Sequence, residues 1–159
     1  MKIVHPTQLD HHQIVIQILK NEPLLKARIA HASNISEEKA GLMLVEVLRF
    51  LHLTVWSQKT LTPPLLLDMA WHELILFTRL YDRLCHQYFG RFIHHQPGGS
   101  ETENRSQLRA TLKLYQLCFG APNPNFWGDQ GYYGEDVKCG ACQSVQSQNK
   151  EMECILPDH

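Results

Sequence analysis

Residues 68–95 concentrate metal-ligating side chains in the most apolar part of the sequence. Carboxylate, imidazole and thiol groups occur together in this stretch: Asp68, His72, Glu73, Cys85, His86, His94 and His95. Such groups are costly to bury unless they pair with one another or bind a metal. The sequence therefore predicts a functional site here, although it does not indicate which reaction the site would perform.

The spacing of these groups decides whether they can share one metal. Asp68 and His72 are four residues apart and lie on one face of a helix, where a carboxylate can orient an imidazole or join it as a ligand. Cys85 comes thirteen residues after His72. On a straight helix that separation is about 20 Å. A common site therefore requires the chain to turn between them.

A turn at residues 77 and 78 would bring these groups together. Thr78 is suited to be the N-cap of a second helix, with Asp82 favourably placed in its early part. We then expect His72, Cys85 and one of the two histidines at 94 and 95 to hold a tetrahedral zinc with an open position. Iron is the alternative metal, and hydrolysis by metal-activated water and redox chemistry both stay open. The predicted central site comprises Asp68, His72, Cys85, His94 and His95.

A structural interpretation of the same stretch also stays open. In it, His72 hydrogen-bonds Asp68 or Tyr81, and the histidines at 94 and 95 cap the C-terminal end of a helix, where a cation is favoured. The other side chains then belong to the core: Trp71, Tyr81, Cys85 and Phe89. A zincin metalloprotease does not fit, because Leu76 stands where its second histidine is required.

The C-terminal stretch contains a second candidate site. Cys139, Cys142, Cys154 and His159 have the spacing Cys-x2-Cys-x11-Cys-x4-His, and these are ligand types of small structural zinc sites. The stretch has few apolar residues, so a bound metal would have to supply its folding energy. An incidental cysteine pair and a dithiol redox pair remain alternatives for Cys139 and Cys142.

Composition restricts the class of protein. The chain has 159 residues, is 43% hydrophobic and 19% charged, and carries five cysteines, which is an odd number. These values predict one globular domain with reduced or metal-bound thiols rather than a disulfide framework. The formal net charge of −1, without a basic run, argues against nucleic-acid binding. The apolar runs are too short for a membrane span and the N-terminus has no signal-peptide pattern, so we expect a cytoplasmic protein.

The apolar periodicity predicts an all-α fold, a bundle of five or six helices with an irregular, cysteine-containing C-terminal extension. The predicted helical domain covers residues 1–122, and residues 123–159 form an aromatic, glycine-rich coil and the cysteine tail. Residues 96–104 are predicted to be a loop, with the last helix beginning near Ser106. His52 lies in the apolar stripe of a central helix, and we interpret it as a core histidine bonded to a carbonyl.

A motif within residues 68–95 resembles the glycine-rich-domain-containing (GRDP-like) family. It consists of Trp71 and His72, then Tyr81, then Cys85, and then the Tyr-Phe-Gly-Arg of residues 88–91. The resemblance covers about a sixth of the chain and implies a helical domain rather than an activity. This sequence departs from the family at Leu74, where members often carry a second histidine. It also has Thr78 where members commonly have proline, which agrees with a break there.

Two functions follow as hypotheses. The first is a metal-binding helical protein, with zinc or iron at the central site and no reaction assigned, so whether it is an enzyme stays open. The alternative is a non-catalytic protein–protein interaction module with a small structural zinc tail. That module would dock its partner through aromatic anchors of the kind that are common at interfaces: Phe126, Trp127, Tyr132 and Tyr133.

Overall fold

The computed structural model describes residues 3–128, and this part of the chain is all-helical, as predicted. A short 3-10 helix, Pro6–Gln8, precedes seven α-helices within these residues. They are α1 (His11–Asn21), α2 (Pro23–Ser33), α3 (Glu37–Ser57), α4 (Leu65–Leu76), α5 (Thr78–Phe89), α6 (Glu101–Phe119) and α7 (Pro124–Trp127). The count exceeds the predicted five or six because α7 forms where a coil was predicted. The predicted second site, comprising Cys139, Cys142, Cys154 and His159, lies outside the described residues.

Helix α3 is the centre of the bundle. The Ser36 hydroxyl accepts a hydrogen bond from Lys39 N–H at its start, and the helix contacts α1, α2, α4, α5 and α6. Its length of 21 residues and mean hydropathy of 1.3 would also suit a membrane-spanning helix. However, 67% of its most apolar window is buried within the protein, as in the core helix of a bundle. His52 is buried here and donates from Nε2 to the Val4 carbonyl at 2.9 Å, which confirms its interpretation as a carbonyl-bonded core histidine.

The chain breaks between α4 and α5 at the predicted place, although not by the predicted cap. Phe77 leaves the helical conformation, with φ −84° and ψ 63°, and its N–H bonds to the Leu74 carbonyl. Thr78 is therefore the first residue of α5, and Phe77 occupies the N-cap position without a side-chain hydrogen bond. The break brings Trp71 and Tyr81 together, with Trp71 Nε1 donating to Tyr81 Oη at 3.0 Å.

Helix α6 begins earlier than the sequence predicted. Residues 101–104 were assigned to a loop because of the preceding proline and paired glycines, yet α6 starts at Glu101. Ser100 and Glu103 form a capping box. The Ser100 hydroxyl accepts from Glu103 N–H at 3.3 Å, and the Glu103 carboxylate accepts from Ser100 N–H at 2.8 Å. This reciprocal pair satisfies two backbone donors that would otherwise have no partner.

Removing that cap should destabilise the protein measurably. We expect Ser100→Ala to lower the free energy of unfolding by about 1 kcal/mol, because α6 loses the acceptor for its third backbone N–H. Ser106→Ala is the matched control, since Ser106 is exposed in the interior of the same helix, where alanine is favoured. Urea unfolding followed by circular dichroism measures both variants. Equal stabilities of the two variants would contradict the assigned role of Ser100.

The aromatic residues after α6 are part of the core. Phe126 is 5% exposed and Trp127 is fully buried, so the described helical body extends past Pro122. Phe126 and Trp127 are therefore not exposed anchors, whereas docking of a partner protein stays a prediction. The indole N–H of the buried Trp127 donates to the Glu46 carboxylate of α3 at 2.8 Å. This hydrogen bond attaches α7 to the centre of the bundle. The other two predicted anchors, Tyr132 and Tyr133, lie outside the described residues.

Candidate metal centre

Asp68 is the central group of a cluster that also contains His72 and His95. It lies in the first turn of α4, and only 11% of its side chain is exposed. One carboxylate oxygen, Oδ1, lies 2.9 Å from His95 Nε2, and the other, Oδ2, lies 3.3 Å from His72 Nδ1. Asp68 therefore has an imidazole against each of its two oxygens. We call these three residues the histidine–aspartate cluster.

His72 is positioned by the geometry of α4 itself. It follows Asp68 by one helical turn, and its Nδ1 lies 2.7 Å from the Asp68 backbone carbonyl. Because a carbonyl only accepts hydrogen bonds, Nδ1 is the protonated nitrogen and Nε2 of the neutral ring keeps a lone pair. About half of the side chain, 54%, is exposed. Nε2 of His72 therefore carries the lone pair that could bind a metal.

His95 is positioned by tertiary contacts. Gly90, in the left-handed conformation at φ 74°, ends α5 and turns the chain back. Tyr81 Oη then donates to the Ile93 carbonyl at 2.7 Å while accepting from Trp71 Nε1. Burial raises the pKa of the Tyr81 hydroxyl, so that this residue stays a hydrogen-bond donor. These bonds hold the segment after α5 beside α4, and the His95 ring packs on the Trp71 indole with centroids 4.4 Å apart.

The three side chains are close enough to share one metal ion. One ligand atom from each residue lies within 4.8 Å of the others, and the two imidazole rings are 4.2 Å apart between centroids. Catalytic zinc sites use three protein ligands of these types and leave a further position open. Two histidines and one carboxylate are also the ligands of many non-haem iron(II) sites.

The chain was compared with known proteins. A model of the UCP032817-like family matches residues 11–120, which is more than two thirds of the sequence. The chain belongs to the UCP032817-like family. Searches of curated proteins and of solved structures each found no match. The match does not bear on the GRDP-like resemblance, which stays a prediction.

The matched UCP032817-like region contains the whole histidine–aspartate cluster. It does not include the cysteine tail, so the family match covers the first predicted site and not the second. The family description names no reaction or substrate.

The predicted ligand set needs two corrections. Cys85 is fully buried and lies outside the cluster, in contact with the Tyr81 hydroxyl and the Ile93 backbone. Burial raises the pKa of this thiol, which disfavours the thiolate that a metal would need. His94 is exposed and contacts the Phe92 ring at 4.8 Å, away from Asp68. Cys85 thus belongs to the core, as the structural interpretation had it, and His95 is the histidine that reaches the cluster.

One buried polar pair was not predicted from the sequence. His11 Nε2 and His52 Nδ1 are 3.1 Å apart, and both residues are nearly inaccessible to solvent. Since His52 Nε2 donates to Val4, its Nδ1 must accept, and His11 Nε2 is then the donor. His11 lies at the start of α1, and the periodicity of apolar residues did not indicate that it is buried. The one indication in the sequence was His52, because a histidine within an apolar stripe needs a polar partner.

Proposed function

We propose that this protein binds a divalent zinc or iron ion at the histidine–aspartate cluster. The observation that carries the proposal is the convergence of three ligand-type side chains within 4.8 Å of one another around a nearly buried carboxylate. Two of them, Asp68 and His72, come from one helix, and His95 comes from a separate segment held in place by Tyr81. A cation at this position would compensate the charge of the buried carboxylate.

The half-exposed His72 leaves one side of the cluster open to solvent. A metal held there would keep a position for water or a small ligand, as catalytic sites do. Zinc would lower the pKa of that water and support hydrolysis, whereas iron would support redox chemistry. The ligand set suits both metals. The proposal therefore covers metal binding and leaves the reaction open.

The test is elemental analysis of the full chain purified without added metal. We expect about one equivalent of zinc or iron, and we expect Asp68→Asn and His95→Ala each to reduce it to a small fraction, because losing a ligand costs most of the affinity of a three-ligand site. Addition of cobalt(II) to the metal-free protein should give a visible absorption band that the same variants lack.

The chain provides a matched control on the next helix. Asp82 and His86 of α5 have the same spacing as Asp68 and His72 and lie 3.4 Å apart, but both are more than half exposed. Asp82→Asn, His86→Ala and His94→Ala should therefore leave the metal content unchanged.

Two outcomes would contradict the proposal. If purified protein is metal-free and does not take up zinc or iron(II) on dialysis, the cluster is a hydrogen-bond network that holds His95 against α4. If metal is present but Asp68→Asn and His95→Ala retain it, the ion is bound elsewhere. The cysteine tail would then be the next candidate, and removal of Cys139 and Cys142 would identify it.

A further inference from the structure

A cavity of about 480 Å³ lies beside the histidine–aspartate cluster. It is bounded by the end of α3, the connection between α3 and α4, and the segment after α5. Trp71 lines it and also contacts the His95 ring, although none of the three cluster residues lines the cavity. Its volume is in the range of small-molecule binding sites.

The floor of this cavity is aromatic. Phe50 is 1% exposed and Trp71 is 6% exposed, and their rings meet edge to face with centroids 5.6 Å apart. Phe92 and Ile93 extend the apolar surface along the segment after α5. Phe92 in turn packs against Tyr81 at 5.3 Å, so the rings are held by contacts within the fold. Phe50 and Trp71 support this floor from below, and the partly exposed Phe92 presents the aromatic surface that an apolar group of a ligand could reach.

The charged groups at the wall are cations. Lys59 and Arg91 line the cavity, and its lining contains no aspartate or glutamate. Both side chains are exposed, and neither forms an ion pair with another residue of the described part. Further residues with hydrogen-bonding groups also line the cavity: Thr60, His94 and Gln107. For a chain whose net charge is −1, this wall is a local positive field that would attract an anion.

We propose that this cavity, called here the Lys59/Arg91 cavity, binds a small organic carboxylate. The apolar part of the ligand lies against Phe92, and its acid group is held by Arg91 and Lys59. A guanidinium group matches the two oxygens of a carboxylate, and the aromatic floor gives a reason for an organic rather than an inorganic anion. The proposal is independent of the metal, because the cavity and the cluster have no lining residue in common.

The test is calorimetric titration of the full-length protein with benzoate, benzamide and inorganic phosphate. Benzoate has the apolar ring and the charge, benzamide has nearly the same shape without the charge, and phosphate has the charge without the ring. We expect benzoate to bind at one site, and benzamide and phosphate to bind at least about tenfold more weakly. The fluorescence of Trp71 should report the same event, so that Trp71→Phe removes the benzoate-induced change and Trp56→Phe keeps it.

Matched variants assign the binding to the cavity. The double variant Lys59→Gln/Arg91→Gln should weaken benzoate binding at least about tenfold, because both cations are removed. Arg83→Gln is the control, since Arg83 is also an exposed arginine but lines a different groove between α1 and α5. Protein dialysed against a chelator should bind benzoate like the untreated protein, which separates this proposal from metal binding.

Several results would overturn the proposal. Absence of benzoate binding at millimolar concentration would do so, as would equal affinities for benzoate and benzamide. Phosphate binding as tightly as benzoate would show attraction to charge alone. Loss of binding in Arg83→Gln to the same extent as in the double variant would place the interaction outside the cavity.

Discussion

Trp127→Ala should lower the free energy of unfolding by about 4 kcal/mol, the typical cost of truncating a buried tryptophan. Trp127 is fully buried and stacks on Tyr115 with centroids 4.5 Å apart. Its indole N–H donates to Glu46 Oε2 at 2.8 Å. The substitution would leave both a large void and a buried carboxylate oxygen without this donor. Urea unfolding measures the change.

The carboxylate of Glu46 that accepts from Trp127 also belongs to a larger polar network. Glu46 is 6% exposed, and its second oxygen accepts from Arg49 at 2.8 Å. Arg49 also donates to the Tyr115 hydroxyl at 3.1 Å and lies over the Phe119 ring. The ion pair and the indole thus join α3, α6 and α7 into one polar network within the core. Trp127→Ala leaves the Glu46–Arg49 pair in place but removes a donor from the buried Glu46 carboxylate, which adds to the cost of the void.

Two further variants test this interpretation. Trp127→Phe keeps most of the apolar contact and loses only the N–H, so it should cost about 1–3 kcal/mol and stay folded even if the alanine variant does not. Leu117→Ala is the control, because Leu117 is 82% exposed on α6 and its truncation should change stability by less than about 0.5 kcal/mol. A Trp127→Ala variant as stable as Leu117→Ala would contradict the anchoring role of α7.

The protein should lose stability as the pH falls below about 6.5, where unfolded histidines begin to bind protons. Burial, together with smaller effects of the neighbouring His52 and Arg49, lowers the pKa of His11 to about 3 against a raising effect of Asp10. Burial also lowers the pKa of His52, opposed by its hydrogen bond to Val4. The folded state therefore disfavours protonation of both rings.

The direction of this pH effect follows from the difference in proton binding between the folded and the unfolded chain. Between pH 6.5 and about 3, His11 of the unfolded chain carries a proton that the folded chain lacks, so the free energy of unfolding decreases as the pH decreases. The slope from His11 is at most about 1.4 kcal/mol per pH unit, which is about 2 kcal/mol between pH 6.5 and 5. Urea unfolding at several pH values in that window measures it. Below pH 5 the carboxylates also titrate, so the comparison should stay above that value.

A neighbouring histidine provides the control. His11→Gln keeps a polar group opposite His52 but cannot titrate, so the pH dependence between 6.5 and 5 should become shallower. His12→Gln, at the exposed next position of α1, should leave the slope unchanged. Equal slopes for the unmodified protein and His11→Gln would show that this buried pair does not control acid stability.

Residues 68–85 show which features of the candidate site could be predicted from the sequence and which could not. The pairing of Asp68 with His72 was predictable, because it depends on a spacing of one helical turn. The place of the break before Thr78 was also predicted, but from a Thr78 N-cap that the structure does not form. The exclusion of Cys85 was not predictable. A cysteine suits a hydrophobic core and a metal site equally well by type, and only its packing against Tyr81 and Ile93 decided between them.

The sequence by itself therefore determined helices α1 to α6, the place of the break between α4 and α5, and the one-turn pair that supplies two of the three residues of the candidate site. Only the tertiary structure decided that His95 and not His94 completes it, and that Trp127 is a core residue. Helical spacing follows from a fixed period of 3.6 residues, so local sequence specifies it. Neighbouring side chains outside a helix point to different sides of the chain, and the one facing Asp68 depends on the bond from Tyr81 to Ile93.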